Sequence, residues 1–476
     1  MGRNILIFSD ATGQAGGFMP DEARSNVYKL FRATRVSPDS HIDPQLQIAF
    51  YDAGLGSRAA AEGMSLTWWR QLYNALAKAT GLGITQNIID CYAAIIRVWQ
   101  PGDRIYLFGF SRGAYTVRCV AGVLKYCGVP TAVTGATGST RPLHRDAVNA
   151  RRIAAEAVKR VYQHGSSLRG DPHRAQRERR ASEFRAKYLS GDDHTANTAP
   201  YFIGVWDTVA TLGAGTRGLT LLAGAYALLA ALLAASVHGL SPLPLRATLL
   251  LLCLGPPLTT YVIGCLRCRG LVSLARYRMA FYDTKLHYAV RYARHALAID
   301  ENRKTFRCVP WDHDLLREAA DDRRDEPARC QQVWFAGNHC DIGGSYPETE
   351  SRLSDTALAW MVQEAMGLPH PLQVDHSLLR LHPDSAGPQH DERQAFLAAW
   401  PAWLRASLRR LIGAQNFGWR DGVRQIPPAA ELHPSVRERF ELAGVPIEGA
   451  MMPYRPRALR NHPQVRAFWQ QPRAVP

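Results

Sequence analysis

Short apolar runs alternate with segments of helical spacing along most of the chain. Apolar residues recur at helical intervals in 85–99, 114–126 and 354–366. Between them lie five apolar runs that predict strands, namely NILIFSD (4–10), LQIAFYDAG (46–54), RIYLFGF (104–110), YFIGVWD (201–207) and QVWFAGNH (332–339). This alternation predicts an α/β fold with a mostly parallel sheet flanked by helices.

Each predicted strand ends at a polar side chain. The five end residues are Asp10, Asp52, Ser111, Asp207 and His339. Ligands of open α/β sheets bind beyond the carboxyl ends of the strands. The pattern therefore predicts one functional site at that edge of the sheet.

Two insertions interrupt this pattern. Residues 143–190 are polar, arginine-rich and helical in pattern, whereas 218–266 holds two apolar stretches, near 219–238 and 247–266, around HGLSPLPLR. Each stretch is long enough to cross a hydrocarbon core of ~30 Å as a helix. Arginines at both outer ends predict a transmembrane hairpin with those ends in the cytoplasm. A buried helical pair or an apolar lid is the alternative.

The insertions set the predicted domain organisation. Residues 1–370 form one α/β-hydrolase-like domain, which is interrupted by 143–190 and 218–266. Residues 371–476 form a helical and irregular C-terminal region, in which AFLAAWPAWLRASLRRLIG (395–413) is a candidate interfacial segment.

Charge and cysteine content narrow the partners. The 476-residue chain carries a net charge of +16, which favours anionic partners. No basic run is interleaved with aromatic residues, so we expect no nucleic acid, and 151–185 reads as a solvated helical face, with lipid headgroup contact as the alternative. Nine single cysteines without framework spacing predict reduced thiols and no metal site. The N-terminus enters a strand directly, so we expect no secretory signal.

The run LFGFSRGA (107–114) carries the most specific chemical signal. It places G-x-S-x-G between a predicted strand and a predicted helix. Gly109 and Gly113 leave room for a sharp turn that exposes Ser111 as a nucleophile, and the backbone N–H of Arg112 is then directed at a developing oxyanion. The alternative is a serine that only caps the helix.

A nucleophilic serine needs a base and an orienting carboxylate. Asp207 in GVWDTVA and His339 in WFAGNHCDIGG follow Ser111 in the order typical of α/β-hydrolases. The alternatives are that Asp207 caps a helix and that His339 is a buried structural imidazole. Asp341 is a rival carboxylate, to which we assign a supporting role in the loop.

The second oxyanion donor is expected on the loop after the first strand, in S-D-A-T-G. The backbone N–H of Ala11 or Thr12 is the candidate, and Asp10 braces that loop or lines the pocket. This chemistry requires neither a metal nor a cofactor.

Eight blocks in this order resemble the phospholipase effectors of the type VI secretion system, first lipase family, and their related α/β-hydrolase-like domain of unknown function. The blocks are FSDATGQ, SNVYKLFRA, FYDAGLGS, QPGDRIYLFGFSRGAYTVRCVAGVLKYCG, GVWDTVATLG, HALAIDENRKTF, WFAGNHCDIGGSY and LSDTALAWMVQEA. The resemblance implies an α/β-hydrolase fold and a serine esterase acting on glycerophospholipids, with Ser111 as nucleophile, Asp207 as acid and His339 as base. The family's Asp-Gly-Thr reads Asp10-Ala11-Thr12 here, and alanine has less backbone freedom than glycine.

Together these features predict a membrane-associated, phospholipase A-like serine hydrolase. The hairpin follows Asp207 closely, so the catalytic edge is expected to face phospholipid at the inner membrane, with the catalytic domain in the cytoplasm. One alternative is a secreted antibacterial lipase toxin that acts on a target-cell membrane and has an immunity or secretion partner. The other is a non-catalytic membrane-anchored scaffold.

Overall fold

The computed structural model describes residues 2–11, 23–53, 84–135, 138–164, 173–209, 286–311, 327–412 and 419–469. The predicted hairpin at 218–266 and the candidate donor Thr12 lie outside these ranges. Within the ranges, no helix combines the length and the apolar composition that crossing a membrane requires.

All five predicted strands are present, together with six that the sequence pattern did not predict. The strands are β1 Asn4–Ser9, β2 Gln47–Asp52, β3 Arg104–Phe110, β4 Ala132–Thr134, β5 Thr140–Pro142, β6 Pro200–Trp206, β7 Tyr292–Ala298, β8 Cys330–Phe335, β9 Glu431–Leu432, β10 Val445–Ile447 and β11 Ala450–Met452. Seven of them form a sheet in the order β2-β1-β3-β6-β7-β8-β9, in which every neighbouring pair is parallel. The predicted α/β class with a mostly parallel sheet is confirmed. The remaining four strands form two small antiparallel hairpins, β4 with β5 and β10 with β11.

Helices cover both faces of this sheet. They are α1 Asn26–Thr34, α2 Ile84–Val98, α3 Arg112–Cys127, α4 Ala147–Glu156 with a π-helical extension Ala157–Tyr162, α5 Arg174–Tyr188, α6 His339–Gly343, α7 Arg352–Met366, α8 Glu392–Ala398, α9 Ala402–Ile412 and α10 Pro434–Glu441. The chain also forms short 3₁₀ helices at Glu348–Glu350, Arg457–Leu459 and Arg466–Trp469.

Alternation along the strands explains why both faces are buried. Successive side chains point to opposite faces of a sheet, so Ile5 and Ile7 face α2, α3, α4 and α5. Leu6 and Phe8 pack on the other face, which α1 and α7 cover. A parallel sheet covered on both faces reads as continuous apolar runs, as the strands of this chain do.

The arginine-rich insertion is helical, but it is not only a solvated face. Phe184 of α5 packs in the same core as α2 and α3. Arg185 is 2% exposed and donates hydrogen bonds to the carbonyl oxygens of Tyr126, Asp192 and Asp193. The expectation of a solvated face is therefore wrong for this arginine, because backbone oxygens replace the water that its guanidinium loses.

The C-terminal region packs against the β7–β8 side of the sheet. Leu297 and Trp334 share a third core with Phe440 and Tyr454. Strand β9 then pairs with β8 at the sheet edge. The region therefore extends the sheet that carries the candidate site.

The strand order places a topological switch between β1 and β3. From β1 the sheet continues to β2 on one side and to β3 on the other. Ligands bind in the crevice at such a switch point, beyond the carboxyl ends of the strands.

Candidate active site

Ser111 occupies a strained turn between β3 and α3. Its φ of 58° and ψ of −117° are unusual for a residue with a side chain. Its N–H donates to the carbonyl oxygen of Trp206 on the adjacent strand, at 3.1 Å. In α3, which is described throughout, the Ser111 side chain makes no capping hydrogen bond. The alternative in which this serine serves as a helix cap is therefore not observed.

The glycines on either side of Ser111 allow this turn. A Cβ on Gly113 would lie 1.9 Å from the carbonyl oxygen of Ser9, and a Cβ on Gly109 would lie 2.6 Å from the backbone of Gly113. Only glycine fits at both places. The turn thus brings the N-terminus of α3 directly against the end of β1, at the switch point.

Asp207 and His339 form a buried hydrogen-bonded pair. Nδ1 of His339 lies 2.6 Å from Oδ2 of Asp207, and both residues are at most 3% exposed. Asp207 has a φ of 32°, and its N–H donates to the carbonyl oxygen of Ala296. Its Oδ1 accepts a hydrogen bond from the N–H of Ala298 at 3.2 Å. The carboxylate is therefore held from two sides.

The three candidate residues lie at the same edge of the sheet. Ser111 and Asp207 directly follow the paired residues Phe110 and Trp206 of neighbouring strands. The Phe110 ring lies 4.6 Å from the His339 ring, measured between centroids. Among the described residues, no hydrogen bond joins the Ser111 hydroxyl to His339. Such bonds are often long in a free enzyme and tighten when substrate binds.

Arg424 also contacts Asp207, and the sequence pattern gave no sign of it. Its Nη2 donates to Oδ2 of Asp207 at 2.7 Å, and its side chain is buried. Burial by itself would raise the pKa of Asp207. The charge of Arg424 and the hydrogen bond from His339 outweigh burial and lower that pKa to about 2. Asp207 is therefore ionised at neutral pH.

A capping box places His339. The side chain of Asn338 accepts hydrogen bonds from the N–H groups of Cys340 and Asp341, and Oδ2 of Asp341 accepts one from the N–H of Asn338. The N–H of His339 itself donates to Oε2 of Glu301 at 3.3 Å. These contacts orient the first turn of α6, which is the supporting geometry expected of Asp341.

Asp341 also takes part in a second Asp–His pair. Nδ1 of His390 lies 2.7 Å from Oδ1 of Asp341, and Nε2 of His390 lies 3.2 Å from Oε2 of Glu350. The His390 ring stacks on Tyr346 at 3.7 Å. Asp341 lies two positions after His339 on α6, and we refer to this second pair as the Asp341–His390 pair.

The loop after β1 begins with Asp10 and Ala11. Asp10 is buried and accepts hydrogen bonds from Ser25, from Tyr51 and from the N–H of Ala11, the last at 2.7 Å. Burial raises the pKa of Asp10 to about 6, against the effect of these bonds. The bracing geometry expected of Asp10 is thus present. The N–H of Ala11 donates to Asp10 in this structure, and Thr12, the other candidate, lies outside the described residues, so the second oxyanion donor stays a prediction.

A cavity of about 1310 Å³ adjoins the Asp207–His339 pair. The segment 301–308 after β7 and the segment 421–431 line it, and Arg424 and Phe306 are part of its wall. The Phe306 ring lies 5.3 Å from the His339 ring. Ser111, Asp207 and His339 are not among its lining residues, so the cavity borders the pair through Arg424 and Phe306 and does not open onto it.

The donor set does not suggest a metal centre. In the ranges that the structure describes, no group of three or more His, Cys, Asp or Glu side chains is arranged to hold a metal ion. Cys91, Cys119, Cys127, Cys308, Cys330 and Cys340 are free thiols. Burial raises the pKa of Cys308, which faces the cavity, to about 12, so that thiol stays neutral.

The fold and the site define an α/β protein with candidate chemistry at the carboxyl edge of a parallel sheet. Residues 3–364 match the model of the family described as "T6SS, Phospholipase effector Tle1-like, catalytic domain". The chain belongs to this family, and the resemblance seen in the sequence is confirmed.

The chain spans only part of the length of the individual proteins that it matches. An uncharacterized protein of Saccharomyces cerevisiae is 30% identical over 131 residues, which are 27% of this chain and 18% of that protein. A crystal structure of an uncharacterized protein from Pseudomonas aeruginosa is 16% identical, with a TM-score of 0.34 over 80% of this chain and 47% of that one. The structure of the Tle1 effector bound to the VgrG spike is 14% identical, with a TM-score of 0.30 over 74% of this chain and 53% of that one.

Proposed function

We propose that the protein is a serine hydrolase that cleaves acyl esters of glycerophospholipids. Membership in the Tle1-like phospholipase effector family supports a lipolytic activity. The observation that carries the serine mechanism is the 2.6 Å hydrogen bond between Asp207 and His339 beside the strained turn of Ser111. Nucleophile, base and orienting carboxylate then follow the order of an α/β-hydrolase.

The proposed reaction is acyl transfer through a covalent intermediate. Asp207 keeps Nδ1 of His339 protonated, so that Nε2 accepts the proton of the Ser111 hydroxyl. The serine oxygen attacks the ester carbonyl, and the backbone N–H of Arg112 with one donor of the first loop stabilises the oxyanion. His339 returns the proton to the leaving alcohol. Water then cleaves the acyl-enzyme by the same route in reverse.

Association with a membrane is part of this proposal. The apolar stretches at 219–238 and 247–266 begin shortly after Asp207, and the chain carries a net charge of +16. An anionic bilayer attracts such a charge, and a hairpin in that bilayer would hold the catalytic edge near ester bonds. The proposed location of the enzyme is the inner membrane, with the catalytic domain in the cytoplasm.

Family membership favours a second candidate, a secreted antibacterial effector that acts on the membrane of a target cell. A secreted effector needs a partner in the delivery apparatus and an immunity protein in the producing cell. Expression with and without a periplasmic export signal separates the two. Toxicity confined to the exported form supports the effector, whereas toxicity without export supports the cytoplasmic location.

Labelling with a fluorescent fluorophosphonate tests the serine mechanism. We expect the wild-type protein in the membrane fraction to be labelled and Ser111→Ala to lose the label, since the probe reacts with activated serines. Ser182→Ala, which removes a partly exposed serine on α5, is the matched control and should label like the wild type. Thermal unfolding confirms that each variant is folded.

Two outcomes contradict the proposal. Undiminished labelling of folded Ser111→Ala means that another serine reacts. Absence of label on folded wild-type protein favours the non-catalytic scaffold. If Ser111 is labelled, mass spectrometry of products from phospholipid vesicles identifies the bond, because acyl-ester cleavage releases a fatty acid and a lysophospholipid.

A further inference from the structure

The family's catalytic-domain match ends at residue 364, but a residue sixty positions later reaches the candidate site. Arg424 donates to the same carboxylate oxygen of Asp207 that accepts from His339, at 2.7 Å and 2.6 Å. We propose that Arg424 is a positioning residue for the Asp207–His339 pair, so that the C-terminal region completes the active site. The catalytic consequence of this inference rests on the proposed function, whereas the stabilisation of the Asp207 charge by Arg424 does not.

The backbone around Arg424 is tied to the site on both sides. Before it, the N–H of Lys304 donates to the carbonyl oxygen of Arg420, and the N–H of Gly422 donates to that of Asn302. After it, β9 joins the edge of the sheet beside β8. The loop 301–304 follows β7 in sequence, and Glu301 of that loop accepts a hydrogen bond from the N–H of His339. Arg424 is therefore held at Asp207 by secondary structure.

Charge explains why a cation is needed there. Asp207 has no solvent exposure, and a buried carboxylate without compensation is strongly destabilising. Nη2 of Arg424 supplies the compensating charge at hydrogen-bond distance. Nε and Nη1 of Arg424 have no hydrogen-bond partner among the described residues. The ion pair with Asp207 is therefore the charged contact through which Arg424 acts on the site.

The other titratable and charged groups near Asp207 do not take this role. Burial lowers the pKa of His295 to about 3 and raises that of Cys308 to about 12, so both are neutral between pH 4 and 8. Arg303 pairs with Glu301 at 2.7 Å. Nη1 of Arg118 donates to the carbonyl oxygen of Val309. A difference in proton uptake between wild type and an Arg424 variant in this pH range therefore reports on the Asp207–His339 pair, whereas groups elsewhere, such as Asp10, titrate alike in both proteins.

Loss of Arg424 is expected to have two separable effects. Without its hydrogen bond the carboxylate is free to turn away from Nδ1 of His339, which slows the reaction at Ser111. Without its positive charge the Asp207–His339 pair takes up a proton at higher pH. If Arg424 only filled space, its loss would not shift the pH profile of labelling, and Arg424→Lys would not restore the labelling rate.

Four variants test the inference. Arg424→Met and Arg424→Gln remove the charge, and Arg424→Lys retains it. Arg439→Met is the matched control, because Arg439 is also fully buried in the C-terminal region but donates to the carbonyl oxygens of Ser385 and Gly387. The first measurement is the rate of fluorophosphonate labelling from pH 4 to 8. The second is thermal unfolding over the same range, which does not depend on activity.

We expect both neutral variants to label at least about tenfold more slowly at neutral pH, with the acidic limb of the profile moved upward by about one pH unit. Arg424→Lys should keep the wild-type limb. Arg439→Met should unfold at lower temperature at every pH and leave the limb unmoved. The unfolding-temperature gap between wild type and Arg424→Met should shrink from pH 7 to pH 4, because the variant's Asp207–His339 pair gains a proton in that range.

The results distinguish the inference from the proposed function. The role of Arg424 is overturned if the neutral variants keep the acidic limb of the wild-type labelling profile and their difference in unfolding temperature from wild type does not change with pH. A pH-dependent gap in a protein that never labels supports the role of Arg424 and sinks the serine mechanism. If Arg424→Met does not fold, Arg424→Gln carries the same test, since it also removes the positive charge but keeps a polar side chain at this buried position.

Discussion

The described part of the molecule contains two Asp–His pairs of nearly equal hydrogen-bond length, and they lie in opposite environments. The Asp207–His339 bond is 2.6 Å and the Asp341–His390 bond is 2.7 Å. The His339 side chain is 4% exposed, whereas that of His390 is 22% exposed. Arg424 binds the first carboxylate, whereas Glu350, a second carboxylate, binds the second imidazole. Bond length alone therefore does not distinguish a candidate catalytic pair from a structural one.

The two environments give opposite dependence on pH. The pKa of Asp207 is lowered to about 2 in the folded protein, so its stabilising effect is present above the unfolded value near 3.8 and is lost as the pH falls toward 2. Burial lowers the pKa of His390, but its hydrogen bond to Asp341 and the charges of Asp341 and Glu350 raise it above 6.5 overall. The His390 contribution is therefore full below pH 6.5 and is lost as the pH rises through the folded value.

The largest expected difference between the pairs is in catalysis. Asp207→Asn should lower kcat by about 10⁴-fold, because an amide favours the wrong tautomer of His339 and withdraws the charge that stabilises its imidazolium. His390→Gln should change kcat by less than about tenfold, because His390 pairs with Asp341 and Glu350 and not with Asp207 or His339. Hydrolysis of a soluble ester measures both. Equal losses in the two variants would remove the distinction between the pairs.

A smaller effect is expected on the cap of α6. Asp341→Asn replaces an acceptor oxygen in the capping box with a donor and also removes the carboxylate that pairs with His390, so we expect a loss of at least about 1 kcal/mol in the free energy of unfolding. Urea unfolding at pH 7 measures it, with Asp384→Asn, an exposed turn residue, as control. Unchanged stability in Asp341→Asn would mean that Asn338 alone caps the helix.

The smallest expected effect is the pH dependence of the second pair. His390 is partly exposed, so its ion pairs contribute at most about 1 kcal/mol. The difference in unfolding free energy between wild type and His390→Gln should be present at pH 6 and decline toward pH 8. A difference that grows above pH 7 would show that His390 is stabilised in its neutral form.

Local pattern predicted the parts of the fold that depend on local physics. Strands β1, β2, β3, β6 and β8 are apolar runs that end at polar residues, and the turn at Ser111 has its glycines in sequence beside it. Strand β7, YARHALA, was not predicted because it buries Arg294 and His295. Glu364 and Gln332 satisfy these two side chains, and both lie far away in sequence.

The same reasoning explains which site contacts escaped prediction. Asp207 and His339 follow strands, so their meeting at the sheet edge follows from topology. Arg424 lies in a segment without period, and only its packed position shows its partner. The N–H of Ala11 was a candidate donor from its place after β1, but its actual acceptor, Asp10, depends on the conformation of one peptide unit.

The ion pair between Asp207 and Arg424 also bears on synthesis of the chain. The two residues are 217 positions apart. A ribosome that adds roughly 5–20 residues per second makes Arg424 on the order of 10 to 40 s after Asp207. During that interval the nascent chain holds the serine turn and the aspartate without the cation that stabilises the aspartate's charge. A newly made molecule therefore reaches its complete site only when most of its length has left the ribosome.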